Sequence, residues 1–177
     1  IEAWENALPP YLKLAYLPNP GAVRLRLSAY EVEGESVARE IERQFEALRK
    51  LIPHNIIGFE TATMQELVHK ILTERGLTLA TAESCTGGAI AARFTAIPGA
   101  SAYFRCGVVS YSNESKVKLL GVNPADIERY GAVSEQVARQ MAEGARRAAD
   151  ADYAVATTGI AGPTGGSAEQ PVGTVWI

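Results

Sequence analysis

Two cysteines, Cys85 and Cys106, and two histidines, His54 and His69, are all the thiol and imidazole groups in 177 residues. No combination of them falls at the spacing of a zinc site, so no metal centre is expected. Two thiols in a chain of this length read as reduced groups rather than a disulfide framework, and the expected compartment is the cytoplasm. Long apolar runs are also missing. Nothing approaches the roughly 20 residues that cross a bilayer and nothing has the form of a signal peptide, so no membrane partner is expected. A basic excess is lacking as well. The formal net charge is −3, which leaves no broad positive field to draw the chain onto nucleic acid. Arg24 and Arg26 read as a solvated strand face, and residues 1–58 contain no Gly-x-x-Gly clamp for RNA. No internal repeat or low-complexity tract is visible.

What is there is a soluble globular composition, 47% hydrophobic and 21% charged, enough for one domain and a small module. The chain opens without methionine at Ile1 and stops at Ile177 inside an apolar run from Gly173. It is therefore expected to be a fragment, with functional residues beyond Ile177. Residues 12–17 lead into a Pro18-Asn19-Pro20-Gly21 turn. Val23, Leu25, Leu27 and Ala29 then alternate with polar neighbours, the period of a half-buried strand. Val37, Ile41, Phe45, Leu48 and Ile52 recur at helical spacing over 35–52, ended by Pro53. With Ile56–Phe59 as a third strand, residues 1–58 form a small α+β module of ββαβ order.

From residue 59 the pattern becomes that of a layered α/β sheet with helices on its faces. The domain boundary is expected near 58–62. Thr63 and Glu66 have the capping-box spacing, and Gly76 suits the end of that helix. Strands are expected over 77–82, 103–111 and 153–157, with another beginning at Thr174. Helices are expected over 86–96, 114–120, from Pro124 to Tyr130, and after Ser134 with Val137, Met141, Ala145 and Ala148 on one face. Ligands of such sheets bind beyond the strands' C-terminal ends.

Three stretches with chemical content follow those strands. The first is Thr81-Ala82-Glu83-Ser84-Cys85-Thr86-Gly87-Gly88. A serine stands where a strand turns into a helix, before two glycines that disfavour helix and favour close backbone approach. Ser84 is either a helix cap or a nucleophile on this evidence. A serine nucleophile needs a base. Neither histidine lies in a strand-to-helix loop, with His69 expected on the exposed side of its helix, so a Ser-His-Asp arrangement is disfavoured. Lysine serves instead when burial lowers its pKa. Lys116, in Ser110-Tyr111-Ser112-Asn113-Glu114-Ser115-Lys116, is either that base or a surface lysine. Tyr111 is either a sheet-edge aromatic or a hydroxyl that helps. The third stretch, Gly159-Ile160-Ala161-Gly162-Pro163-Thr164-Gly165-Gly166-Ser167, is a surface loop or an anion-binding one; it lacks the Walker pattern. Cys85 reads as a small packed side chain.

Taken together and in this order, the three stretches resemble the competence/damage-inducible CinA family, over about residues 60–177, in its C-terminal nicotinamide-nucleotide amidase domain. Residues 1–58 resemble the KH-like linker module of longer family members. Their N-terminal domain, associated with ADP-ribose hydrolysis, is not expected within residues 1–177. The resemblance implies hydrolysis of nicotinamide mononucleotide to nicotinate mononucleotide and ammonia in pyridine nucleotide salvage, without a cofactor, by a homodimer. By motif position, it implies Ser84 as nucleophile, Lys116 as general base and Tyr111 as an assisting hydroxyl. Thr86, Gly87, Gly88, Gly159, Ile160, Ala161 and Gly162 would contact substrate, one loop holding the oxyanion and the other the phosphate. The competing expectation is a non-catalytic nucleotide-binding or assembly module of a larger protein.

Overall fold

The computed structural model describes residues 1–19, 21–58 and 63–177, which fall into two compact units, Ile1–Glu60 and Thr61–Ile177. The first contains helix α1 (Glu2–Asn6), strands β1 (Leu12–Asn19) and β2 (Ala22–Ala29), and helix α2 (Glu35–Leu51). β1 and β2 form an antiparallel hairpin in which Leu14 faces Leu27. Leu12, Leu27 and Leu48 are its buried apolar residues. The expected turn at 18–21 is shorter than the sequence indicated, because Pro18 and Asn19 still pair with Val23 and Ala22; Pro20 lies outside the described residues.

Two features of this unit differ from expectation. α1 carries no strong sequence signal, being only five residues long without a side-chain cap. The third strand is absent over Ile56–Gly58, where the chain leaves α2 through the turn bond from Asn55 N–H to the Ile52 carbonyl. Phe59 and most of the expected boundary at 58–62 lie outside the described residues. The described order is thus αββα rather than ββαβ.

The second unit is the layered α/β sheet. It runs through α3 (Met64–Arg75), β3 (Leu79–Glu83), α4 (Ala89–Thr95), β4 (Phe104–Val109), α5 (Asn113–Leu120), α6 (Pro124–Tyr130), α7 (Glu135–Ala148), β5 (Tyr153–Gly159) and β6 (Val175–Trp176). Thr63 and Glu66 form the expected reciprocal capping box, and Gly76 ends α3 in the left-handed conformation at φ 63°. The Leu77 amide is held by the Leu72 carbonyl, which delays β3 by two residues. Glu83, expected in a loop, therefore becomes the strand's last residue. Ser112, Asn123 and Ser134 cap α5, α6 and α7 with their side chains.

The strand order is β4-β3-β5-β6. β3 pairs in parallel with β4 and β5, and β6 joins β5 antiparallel. β3 is central and buried along its whole length. Ala80 and Ala82 pack with Leu120, Val122, Val137 and Met141 on one face. Leu79 packs with Leu72, Ala100 and Tyr103 on the other. His69 is only half exposed, contrary to expectation, because its ring meets Tyr103 edge-on at 5.3 Å.

The register places the site. Glu83 is opposite both Val109 and Thr157, so the three strands reach their C-terminal edge together and their following loops emerge side by side. The opposite edge is tied by the Asp152 carboxylate, which accepts from the Thr78 amide and hydroxyl at 2.8 Å each.

The buried face of α7 is Val137, Ala138, Met141, Gly144 and Ala145, while Ala148 is exposed. Gly144 is the reason for the rotation. A Cβ there would collide with the Leu120 carbonyl oxygen, so α7 meets the end of α5 backbone to backbone. Gly144→Ala is expected to destabilise the domain by about 1–3 kcal/mol through overpacking, read as a lower urea midpoint with an unchanged slope. An unchanged midpoint would show that the two helices separate without cost.

Candidate active site

Ser84 follows β3 directly, and its amide donates to the Thr157 carbonyl at 2.9 Å. It does not cap α4. That helix begins at Gly88 without a cap from the serine, and the group that meets its start is Glu83. The Glu83 carboxylate is 1% exposed. It accepts from the amides of Gly88 and Ile90 at 3.0 Å, from that of Ala91 at 2.8 Å and from the Thr86 hydroxyl at 2.6 Å. Burial pushes this carboxyl up, but the four hydrogen bonds together prevail and hold it below the ordinary glutamate value. With Glu83 in that role, the Ser84 hydroxyl is left to a different partner.

That partner is Lys116. Its Nζ lies 3.1 Å from Ser84 Oγ, 2.8 Å from the Ser110 carbonyl and 3.3 Å from the Tyr111 carbonyl. Lys116 is 1% exposed and Ser84 8%. The first turn of α5, capped by Ser112, points the lysine stem back across the end of β4 to β3. Burial lowers the Lys116 pKa below the ordinary lysine value of 10.5, and the neighbouring Cys85 acts in the opposite sense.

The three neighbours also decide how a neutral amine would sit. An uncharged amine has two N–H bonds and one lone pair. Carbonyl oxygens only accept, so the Ser110 and Tyr111 carbonyls take the two N–H bonds. The lone pair then faces Ser84 Oγ, whose O–H donates to it. The arrangement can therefore pass the serine proton to the lysine.

The other expected site residues are placed as follows. Tyr111 joins the site only through its carbonyl; β4 ends at Val109 and the tyrosine side chain is 73% exposed. Among the described residues its hydroxyl makes no hydrogen bond to Ser84 or Lys116. The Thr86 hydroxyl is committed inside the protein. Its single proton goes to Glu83, so the Thr157 hydroxyl donates to it at 2.7 Å. The amides of Gly87 and Gly88 are occupied as well, by the Ser84 carbonyl at 3.0 Å and by Glu83. Neither amide is therefore a free donor for a ligand. Among the described residues, the amides of Cys85 and Thr86 are the two in this turn without a hydrogen-bond partner.

Gly159 ends β5 against the same turn. A Cβ there would stand 2.8 Å from the Thr174 carbonyl oxygen and 3.1 Å from Cys85 Sγ, so only glycine lets β5 pass so close to the residue after Ser84. Beyond it the Ile160 amide binds the Thr174 carbonyl at 2.9 Å, and the Gly173 amide binds the Ile160 carbonyl at 2.8 Å. At Gly162, φ is 80° and a Cβ would collide with Val172. Ile160, Ala161 and Gly162 thus belong to a loop folded back on itself beside the serine turn. Among the described residues, no group of three or more His, Cys, Asp and Glu side chains is arranged to hold a metal ion, and no helix is long and apolar enough to cross a membrane.

Sequence reasoning missed Glu83 and Thr157. The available signal was an acidic residue closing a run of apolar and small residues immediately before the serine, a position where an unpartnered charge is costly.

Residues 61–177 match the family model of the CinA C-terminal domain. The CinA-like protein of Flavobacterium psychrophilum is 47% identical over 178 residues, and that of Chlorobium limicola 48% over 177. This chain spans 43% and 41% of those two proteins' lengths. Among solved structures, the competence/damage-inducible protein CihA of Agrobacterium tumefaciens superposes with a TM-score of 0.61 at 49% identity, over 67% of this chain and 73% of that one. The CinA superfamily protein of Escherichia coli superposes with a TM-score of 0.62 at 40% identity, over 71% of this chain and 76% of that one.

Proposed function

Since the chain belongs to the CinA family through the C-terminal domain formed by residues 61–177, we propose that it is an amidase that converts nicotinamide mononucleotide and water to nicotinate mononucleotide and ammonia. The observation that carries this reading is the 3.1 Å approach of Lys116 Nζ to Ser84 Oγ, between two groups that solvent scarcely reaches.

The Lys116–Ser84 geometry supports the following route. Neutral Lys116 takes the Ser84 proton as Oγ attacks the carboxamide carbon. The substrate's pyridinium draws electrons from that carbon, and its positive charge helps keep the nearby amine neutral. The carbonyl oxygen becomes an oxyanion, which the unpartnered Cys85 and Thr86 amides are suited to receive. The Lys116 ammonium returns its proton to the leaving nitrogen, ammonia departs and a serine ester remains. Water, deprotonated by Lys116, then attacks the ester carbon. Ser84 leaves with the proton and nicotinate mononucleotide is released. No step on this route requires a cofactor.

The test is ammonia release from nicotinamide mononucleotide by the purified chain across pH. Because the neutral amine is the working form, kcat is expected to rise with pH through the Lys116 pKa, with a midpoint below 10.5. Binding of the nucleotide without ammonia at any pH would favour a non-catalytic module. Turnover flat from pH 6 to 9 would remove the lysine from the role of base.

A further inference from the structure

We propose that Glu83 is a positioning residue of this amidase: a built-in anion that fills the start of α4, fixes the nucleophile turn and thereby selects the Cys85 and Thr86 amides as the oxyanion donors. The inference rests on the amidase reading above and adds to it the group that shapes the hole.

A strand that ends in a serine, two glycines and a helix is the usual backbone form of a receptor for an external anion. Gly87 and Gly88 both have positive φ, 60° and 98°, so the chain turns tightly and directs its amides inward. Here the anion they meet belongs to the same chain. The Glu83 carboxylate gathers the amides of Gly88, Ile90 and Ala91, and burial to 1% exposure means these bonds are not shared with water. A phosphate placed at the same amides would find its donors occupied and a negative charge already there.

The consequence for catalysis comes from adjacency. Glu83 and Ser84 are consecutive, so holding the carboxylate on one side and α4 on the other leaves the serine turn little freedom. Of the seven amides from Cys85 to Ala91, those of Gly87, Gly88, Ala89, Ile90 and Ala91 have protein acceptors. The pair left over begins one residue after the nucleophile, next to the carbon it attacks. The chain Glu83–Thr86–Thr157 extends the bracing to β5. Glu83 itself touches no reacting atom in this scheme. Its effect is on the shape of the hole.

Glu83→Gln tests this. A carboxamide keeps the size but turns an NH2 group toward amides that are themselves donors, so the turn must rearrange. In ammonia-release assays kcat is expected to fall on the order of 10²-fold, the scale for loss of one oxyanion donor, with KM within about threefold. The 3-formyl analogue of the substrate, whose aldehyde adds Ser84 to give a tetrahedral adduct, is expected to lose affinity by the same factor as kcat. Unchanged kcat in the folded variant would overturn the proposal. So would a loss of binding affinity for the unreacted substrate amide as large as that for the aldehyde, the pattern of general damage. If Glu83→Gln does not fold, the Thr86 pair decides. Thr86→Ala is expected to lower kcat about tenfold at constant KM, and Thr86→Ser to recover most of that loss; three proteins of equal kcat would overturn the proposal. A wild-type chain that releases no ammonia defeats the amidase reading, and the role of Glu83 with it, a result distinct from wild-type turnover with an indifferent Glu83.

Discussion

Ser84→Ala protein is expected to keep its fold and to release no ammonia from nicotinamide mononucleotide. Loss of the nucleophile in a serine hydrolase lowers kcat by on the order of 10⁶-fold, which here takes turnover below detection. The stability effect is small by comparison. Ser84 Oγ has Lys116 as its side-chain partner, and one such bond contributes about 1 kcal/mol. Intact-mass spectrometry separates the steps. Wild-type protein quenched during turnover is expected to carry the nicotinoyl nucleotide as a serine ester, and Ser84→Ala protein to carry nothing. An adduct in the variant, or ammonia release near the wild-type rate, would move the nucleophile elsewhere, with Cys85 next in the chain.

Lys116→Met is the second large effect. A positioned general base contributes roughly 10²–10⁴-fold, and methionine keeps the apolar length of the stem without the amine. The loss is expected in kcat, with KM nearly constant. Stability adds an independent readout. Burial depresses the Lys116 pKa in the folded protein below its value of 10.5. Between those two values the unfolded chain holds the proton and the folded chain does not, so stability rises with pH across that window. It is greatest above 10.5 and is lost as pH falls through the depressed folded value. Lys116→Met removes this slope. Urea unfolding of both proteins over that range measures the difference, and parallel curves would mean that the lysine is ionised normally inside the fold.

The places of the site loops were legible in the sequence because they are written in turn chemistry, whereas the roles of Ser84 and Lys116 were left open by the residues and came from the family resemblance. Ser84, Lys116 and the Gly159 loop each follow a strand, and parallel pairing of β3, β4 and β5 brings strand ends together whatever their separation in the chain. The caps at Thr63, Asn123 and Ser134 are local and were equally readable, while the cap at Ser112, which starts α5 at Asn113, was not named. What escaped depends on neighbours that a linear pattern does not name. Tyr111 seemed to end a strand, but β4 stops at Val109 and the aromatic ring turns to solvent. The face expected for α7 included Ala148, and the pattern did not show that Gly144 takes a buried place because the Leu120 carbonyl lies against it. Glu83 breaks the rule that buried strands are apolar, and its partners are backbone amides, which every residue but proline has and no sequence distinguishes.

The depth of the lysine and the direction of its lone pair decide whether Ser84 can be activated at all. The most direct measurement is the pH titration of the Lys116 ε-amine by NMR of lysine-labelled protein, assigned by its loss in Lys116→Met. The expected result is a single resonance that changes from ammonium to amine at a pH below 10.5 and governs the rising limb of kcat. A Lys116 signal that remains ammonium up to that pH while the enzyme turns over fully would contradict it.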